Sequence, residues 1–151
     1  MSDVRIRYRG PYDLQKAHSH DACFDVYPNL PYPIVLIPGE VYKVPTGLFL
    51  DIPPGWAGLI QERSGFPNKG LTIHLLGGVI DAGYRGEVIV FVTNSGDLTF
   101  SIDNNHAIAQ LRIVRVPEVT MVRLADEQFS QLPRTERDVK GFGSSNAKLK
   151  A

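Results

Sequence analysis

The sequence is poor in cysteine, in unbalanced charge and in long apolar runs, and each scarcity excludes something. Cys23 is the only cysteine among the 151 residues, so an intrachain disulfide is impossible and a Cys-rich zinc site is ruled out. The four histidines, His18, His20, His74 and His106, are scattered. Only His18 and His20 are close in sequence and no third ligand accompanies them, so a transition metal held by the protein is not expected. Sixteen basic residues balance sixteen acidic ones, which argues against a general nucleic-acid or membrane surface. No apolar run is long enough to span a bilayer, and Met1-Ser2-Asp3-Val4-Arg5 lacks a signal-peptide core. A soluble protein, cytoplasmic or otherwise intracellular, is the expectation. Internal repeats and interdomain linkers are missing too, and a chain of this length can bury about two-thirds of its unfolded surface as one domain.

What the sequence does have is strand patterning. Val4, Ile6 and Tyr8 alternate with Arg5, Arg7 and Arg9 at the period of a half-buried strand. Leu98, Phe100 and Ile102 alternate with Thr99, Ser101 and Asp103 in the same way. Further strands are expected at 34–37, 41–44, 48–52, 57–62, 71–75 and 106–116. Turn signals separate them: Pro38-Gly39, Pro45-Thr46-Gly47, Pro53-Pro54-Gly55, Ser95-Gly96-Asp97 and Asp103-Asn104-Asn105. Many short strands at such spacing predict a sandwich, barrel or jelly roll. Helix signals are limited to a short stretch from Ser64 to Gly70 and another at 125–131.

The densest cluster of chemistry is Gly77-Gly78-Val79-Ile80-Asp81-Ala82-Gly83-Tyr84-Arg85-Gly86-Glu87, one acid and one phenol set among glycines. With Val88-Ile89-Val90-Phe91-Val92 following, it reads as a strand, a tight turn and a returning strand. Such a turn would hold a carboxylate rigidly and leave backbone amides free for a ligand. Alone, it is equally a surface hairpin in which the Asp stabilises its own turn. The last residues, 134–151, are polar and too poor in apolar side chains to fold alone. Even so, Gly141-Phe142-Gly143-Ser144-Ser145 sets an aromatic among glycines and hydroxyls, downstream of Arg137. That tail has the groups to order over a planar, anionic ligand.

In order along the chain stand Ala22-Cys23-Phe24-Asp25-Val26, Arg63-Ser64-Gly65-Phe66, the Gly78–Gly86 segment, Asn105-His106-Ala107-Ile108-Ala109-Gln110-Leu111, and Arg137 with Gly141–Ser145. Together they resemble the five ordered motifs of the trimeric dUTP diphosphatases (dUTPases), over nearly the whole chain from about Asp21 to Ser145. The resemblance implies an all-β, distorted jelly-roll (β-clip-like) subunit with at most one or two short helices. It further implies a domain over residues 1–133, a mobile tail over 134–151 that closes a neighbouring subunit's site, and a homotrimer with three shared active sites. The implied reaction is hydrolysis of dUTP to dUMP and pyrophosphate with Mg²⁺, which limits uracil in DNA and supplies dUMP for thymidylate synthesis.

By the same resemblance, Asp81 is the general base that activates water for attack on the α-phosphorus. Tyr84 lies against the deoxyribose and leaves no room for a 2′-hydroxyl. Backbone groups of Gly78, Val79 and Ile80 read uracil, where an unmatched base would leave buried polar groups unpaired. Arg63, Ser64 and Gly65 bind phosphate, as does Gln110. Asp25 touches Mg²⁺ through a metal-bound water, the metal resting mainly on substrate phosphates. Phe142 covers the uracil, while Arg137, Gly143 and Ser144 reach the distal phosphates as the tail closes.

Some positions depart from the family pattern. Cys23 stands where glycine is usual, Leu75 where asparagine or glycine is frequent, and Pro67 where alanine is usual; Asp138-Val139-Lys140 replaces a more glycine-rich stretch. None of these removes a group assigned to catalysis. Two rival readings compete with this one. The related dCTP deaminases use a glutamate seven residues after the aromatic that aligns with Tyr84, and here that position is Phe91. A non-catalytic regulatory module on the same scaffold would not need Asp25, Arg63, Asp81, Tyr84, Gln110, Arg137 and Phe142 all to be present.

Overall fold

The computed structural model describes residues 3–68 and 70–141. Contacts divide the chain into two compact units, Met1–Glu118 and Val119–Ala151. The strands lie in the first unit. In chain order they are β1 (Arg7–Arg9), β2 (Phe24–Val26), β3 (Ile34–Leu36), β4 (Val41–Asp51), β5 (Trp56–Gln61), β6 (Ile73–Leu76), β7 (Val79–Ile80), β8 (Glu87–Asn94), β9 (Phe100–Ile102) and β10 (Ala109–Arg115). The short helix α1 (Gly65–Asn68) also belongs to this unit, and α2 (Asp126–Ser130) to the second. No helix among the described residues is long and apolar enough to cross a membrane.

One sheet runs β1-β4-β8-β6, a second β2-β10-β5-β7, and β3 pairs with β9. Both large sheets feed one apolar core. Val44, Leu48, Leu50, Val88, Val90 and Val92 come from the first, and Val26, Ile60, Ile80 and Leu111 from the second. Strict alternation explains this: β8 reads buried at Val88, Val90, Val92 and Asn94 and more open at the residues between. Burying each of these three valines contributes roughly 1.5–3 kcal/mol. The result is the expected all-β, jelly-roll-like architecture, with two short helices among the described residues.

Two local expectations are corrected. Pro45-Thr46-Gly47 is not a turn between two strands but lies inside the single 11-residue β4. The register against β8 shifts between Pro45 and Phe49, as at a β-bulge. Thr46 is fully buried there; its hydroxyl donates to the Val88 carbonyl at 2.6 Å and accepts from the Leu48 N–H at 3.1 Å. A threonine that satisfies these groups lets the strand continue past the proline. The second correction concerns Val79-Ile80 and the strand after Gly86, which do not pair as a hairpin. β7 pairs with β5 (Gly58↔Ile80, Leu59↔Val79), whereas β8 pairs with β4 and β6. The turn between them therefore crosses from one sheet to the other.

In the second unit, α2 is capped by the Gln128 side chain, whose Oε1 accepts the Ala125 N–H at 2.9 Å. Asp126 and Glu127 sit in its first turn, where a carboxylate favours the helix dipole.

Candidate active site

β7 lies at the end of its sheet, so one side of its backbone faces no ladder partner among the described residues. The other side is clamped to β5, with the Ile60 N–H donating to the Gly78 carbonyl at 2.7 Å. This approach requires glycine. Gly78 has φ +124°, and a Cβ there would come within 2.7 Å of the Ile60 carbonyl oxygen. A backbone edge with open donors and acceptors is thus held rigidly from behind.

The chain then turns over Asp81–Tyr84, closed by the Tyr84 N–H on the Asp81 carbonyl at 3.2 Å, while the Gly83 N–H reaches the Ile52 carbonyl at 3.3 Å. The Asp81 side chain is exposed and accepts no hydrogen bond among the described residues, so the turn is built by main chain and not by this carboxylate. Tyr84 is half exposed, at 48%. Its hydroxyl donates to the Glu87 carbonyl at 3.0 Å, and its ring folds over Gly86, where any Cβ would collide with it. Arg85 leaves the turn in the other direction and pairs with Asp51 at 2.6 Å, as does Arg7. The Asp51 carboxyl is held below its ordinary value of 3.8, chiefly by the hydrogen bond from Arg7.

Backbone edge and turn line a cavity of about 390 Å³, bounded by Leu76, Gly77 to Asp81, Tyr84, Glu87, Ile89 and Phe91 among others. Its size and its mix of apolar walls with a few polar groups suit a small organic ligand. A larger cavity of about 530 Å³, bordered by Val4, Ile6, Tyr8, Phe24 and Leu50, lacks comparable chemistry; among the described residues Asp3 and Lys16 are its only charged groups. Leu76, Ile89 and Phe91 were not singled out from sequence as ligand contacts. The available signal was β8 itself, apolar at Ile89 and Phe91 on the face opposite buried Val88, Val90 and Val92.

A second cluster lies across β5. Ladder register sets Gln110 of β10 opposite both Asp25 of β2 and Gln61 of β5. The Arg63 guanidinium lies 3.4 Å from Asp25 and donates to the Ala107 carbonyl at 3.1 Å. Gln110 Nε2 donates to the Glu62 carbonyl at 2.6 Å. Ser64 is exposed in the turn just before α1, which Phe66 pins to the core by an edge-on contact with Phe100 at 5.3 Å. The structure therefore brings Asp25, Arg63 and Gln110 together, with Ser64 and Gly65 following Arg63 in the chain. Gly78, Val79, Ile80, Asp81 and Tyr84 form the other group, and the first group does not line their cavity. Arg137 belongs to the second unit, where its Nε donates to the Lys140 carbonyl at 3.2 Å. Phe142, Gly143 and Ser144 lie outside the described residues.

Mg²⁺ is the cofactor that the family resemblance implies. Among the described residues no group of three His, Cys, Asp or Glu is arranged to hold a metal ion. Asp25 offers one carboxylate beside an arginine. That donor set fits a hard cation carried mainly by substrate phosphates and touching the protein through water, not one held in a protein cage.

A jelly roll that presents such a turn from an edge strand has the fold of the dUTPases. The structure matches that of a mutant staphylococcal bacteriophage 80alpha dUTPase with dUpNHpp, at a TM-score of 0.77 and 25% identity over 95% of this chain and 99% of that one. It also matches a mutant dUTPase from S. aureus phage phi11, described as coordinating a structural Mg(II) ion, at 0.68 and 25% over 80% and 98%. The family model for dUTPase matches residues 12–146. In sequence, the chain is 36% identical over 130 residues to the deoxyuridine 5'-triphosphate nucleotidohydrolase of Gloeobacter violaceus, covering 85% of each. It is 41% identical over 123 residues to that of Bdellovibrio bacteriovorus, covering 81% of this chain and 79% of the relative. The chain belongs to the dUTPase family.

Proposed function

We propose that this protein is a dUTP diphosphatase, hydrolysing dUTP to dUMP and pyrophosphate. The observation that carries the reading is the exposed Asp81 carboxylate, on a turn fixed by backbone bonds to Ile52 and Tyr84, at the rim of the cavity lined by Gly77 to Ile80. A carboxylate left unengaged by its own turn is available to orient a water and take its proton. Attack of that water on the α-phosphorus breaks the bond to the bridging oxygen, and pyrophosphate leaves. The open edge of β7 would read the pyrimidine through main-chain donors and acceptors, and Tyr84 would pack on the sugar and exclude a 2′-hydroxyl. Arg63, Ser64, Gly65 and Gln110 would bind phosphates, with Asp25 toward a Mg²⁺-bound water. Bound Mg²⁺ would supply charge neutralisation at the phosphate oxygens.

Within one chain the two groups lie on opposite flanks of β5, Asp25 and Gln110 toward β10 and the Asp81 turn beyond β7. This separation supports sites shared between copies in a homotrimer, with residues 134–151, including Arg137, Phe142, Gly143 and Ser144, closing a neighbour's site. The physiological consequence would be less uracil in DNA and a supply of dUMP for thymidylate synthesis. Phe91, on the cavity wall, has no proton to transfer and disfavours deamination of dCTP.

The test is pyrophosphate release with Mg²⁺ from dUTP, UTP, dTTP and dCTP, with ammonia followed for dCTP and mass measured by light scattering. Turnover confined to dUTP by a trimer is expected. Comparable turnover of UTP would overturn the role given to Tyr84, and ammonia from dCTP would overturn the reaction class.

A further inference from the structure

Gly77, Gly78, Gly83 and Gly86 surround Asp81 and Tyr84, and the first three are explained by their own backbone. Their φ values are +77°, +124° and +83°, which L side chains rarely adopt. Gly86 has no such need, because its φ is not in the left-handed region. What requires glycine there is the Tyr84 ring. Apart from its chain neighbours, the three atoms nearest to the position of a Cβ on Gly86 are the Tyr84 hydroxyl oxygen, Cζ at 2.5 Å and Cε2 at 2.9 Å. All three lie at the far end of one side chain, and no main-chain atom is among them. At Gly78 the first contact is the Ile60 carbonyl oxygen instead. A methyl at 78 would press on the sheet, whereas a methyl at 86 would displace only the ring.

Little else holds that ring. Tyr84 is half exposed, and among the described residues its hydroxyl bonds only to the Glu87 carbonyl, at 3.0 Å. The carbonyl itself is well fixed: Glu87 is in register with Phe49 of β4, and its Oε1 accepts the Gly47 N–H at 2.8 Å. The ring therefore lies between a fixed acceptor and the space of a missing side chain. Tyr84 and the cavity it lines belong to one chain, whichever copy supplies the phosphate-binding groups.

We infer that Gly86 is a positioning residue for sugar selection: its missing side chain lets the Tyr84 ring lie back against the main chain, at the depth where it admits a deoxyribose and excludes a 2′-hydroxyl. The inference rests on the dUTP reading above and deepens it. Gly86 touches no substrate and acts through the ring alone. Alanine at this position would push the ring off its support and pull its hydroxyl from the Glu87 carbonyl. A wall that has lost both backing and bond yields to an added hydroxyl.

The experiment measures kcat and KM for dUTP and UTP, and the thermal midpoint, in the full-length wild type, Gly86→Ala, Tyr84→Ala and the double variant. Packing alone rejects an added hydroxyl by about 100-fold. In Gly86→Ala, the ratio of kcat/KM for dUTP to that for UTP should therefore fall by about tenfold or more. The thermal midpoint should stay near that of the wild type, since a half-exposed ring can move without disturbing the core. Where Tyr84→Ala has already removed the ring, adding Gly86→Ala should leave the ratio within about twofold. A Gly86→Ala variant that discriminates as well as the wild type would overturn the role given to Gly86. So would an equal fall in the ratio when the ring is already gone, or a midpoint far below the wild type's, because either would put the methyl against main chain. A wild type with no dUTP turnover would instead overturn the reading of the site on which this rests.

Discussion

Between Gly77 and Gly86 the candidate site is shaped by main chain, whereas around Asp25, Arg63 and Gln110 it is shaped by side chains. In the first region the determining contacts are the Gly78 carbonyl with Ile60, the Tyr84 amide with the Asp81 carbonyl and the Gly83 amide with Ile52. In the second they are a carboxylate–guanidinium pair, an amide side chain on a carbonyl and an arginine on a carbonyl. Main chain has no rotamers to lose, so the first region is preorganised for a neutral, planar group whose edge must be matched. Side chains are longer and charged, and they suit a polyanion that tolerates small displacements.

The sharpest way to break this contrast is Asp81→Asn. If the backbone alone builds the turn, the carboxamide will leave its shape intact and remove only the base. Turnover of dUTP should fall by about 10²–10⁴-fold while the dissociation constant for a non-hydrolysable dUTP analogue stays within about threefold. Turnover near that of the wild type would refute the assigned base. Weakened binding of similar size would show that the side chain helps to build the turn.

Gly78→Ala tests the opposite half of the claim, since it alters no chemical group. A Cβ at this position meets the Ile60 carbonyl oxygen at 2.7 Å on a backbone with φ +124°. Accommodating it should cost about 1–3 kcal/mol, read as a lower denaturation midpoint. The displaced edge should raise KM for dUTP by about 10–100-fold. A variant with the stability and KM of the wild type would mean that β7 is free to move and cannot be the base-reading edge.

These two regions also differ in how far the sequence revealed them. Asp81, Tyr84 and their glycines are legible because turn chemistry is local: the residues that make the turn are neighbours in the chain. Their pairing was not legible. Val79 and Ile80 look like half of a hairpin with the strand that follows, but their ladder partners are Leu59 and Gly58, far upstream. Burial of Ile80 in the shared core and the close approach of Gly78 to Ile60 select that partner, and no local pattern records either. The same limit hid Leu76, Ile89 and Phe91 as cavity walls, since they meet only across β6 and β8. Pro45-Thr46-Gly47 failed in the other direction. It carries strong turn residues, yet a buried threonine hydroxyl bonded to the Val88 carbonyl keeps it within β4.

In the side-chain region, Arg63→Lys keeps the positive charge but loses the fork that spans Asp25 and the Ala107 carbonyl. KM for dUTP should rise by about tenfold, the scale of one charge-assisted hydrogen bond, with the thermal midpoint little changed. If Arg63→Lys is as damaging to stability as Gly78→Ala, the corner is as rigid as the turn and the distinction drawn here fails.

The smallest effect is expected at Asp51, the residue through which a side chain does reach the turn. Asp51 pairs with Arg85, next to Tyr84, and with Arg7 of β1. If main chain suffices to hold Tyr84, releasing Arg85 by Asp51→Asn should alter KM for dUTP less than about fivefold, as for other solvent-screened pairs. The substitution has a distinct signature in acid. The hydrogen bond from Arg7 holds the Asp51 carboxyl below 3.8; partial desolvation opposes it, and the charges of Arg7 and Arg85 reinforce it. The unfolded chain therefore takes up this proton first. Stability from the pair is present above the unfolded value and is lost as pH falls through the lower, folded one. Denaturation midpoints of wild type and Asp51→Asn should accordingly differ most at neutral pH and draw together below about pH 4. A difference that persists unchanged into acid would assign the effect to shape rather than charge, and a large rise in KM would make Asp51 a structural part of the turn.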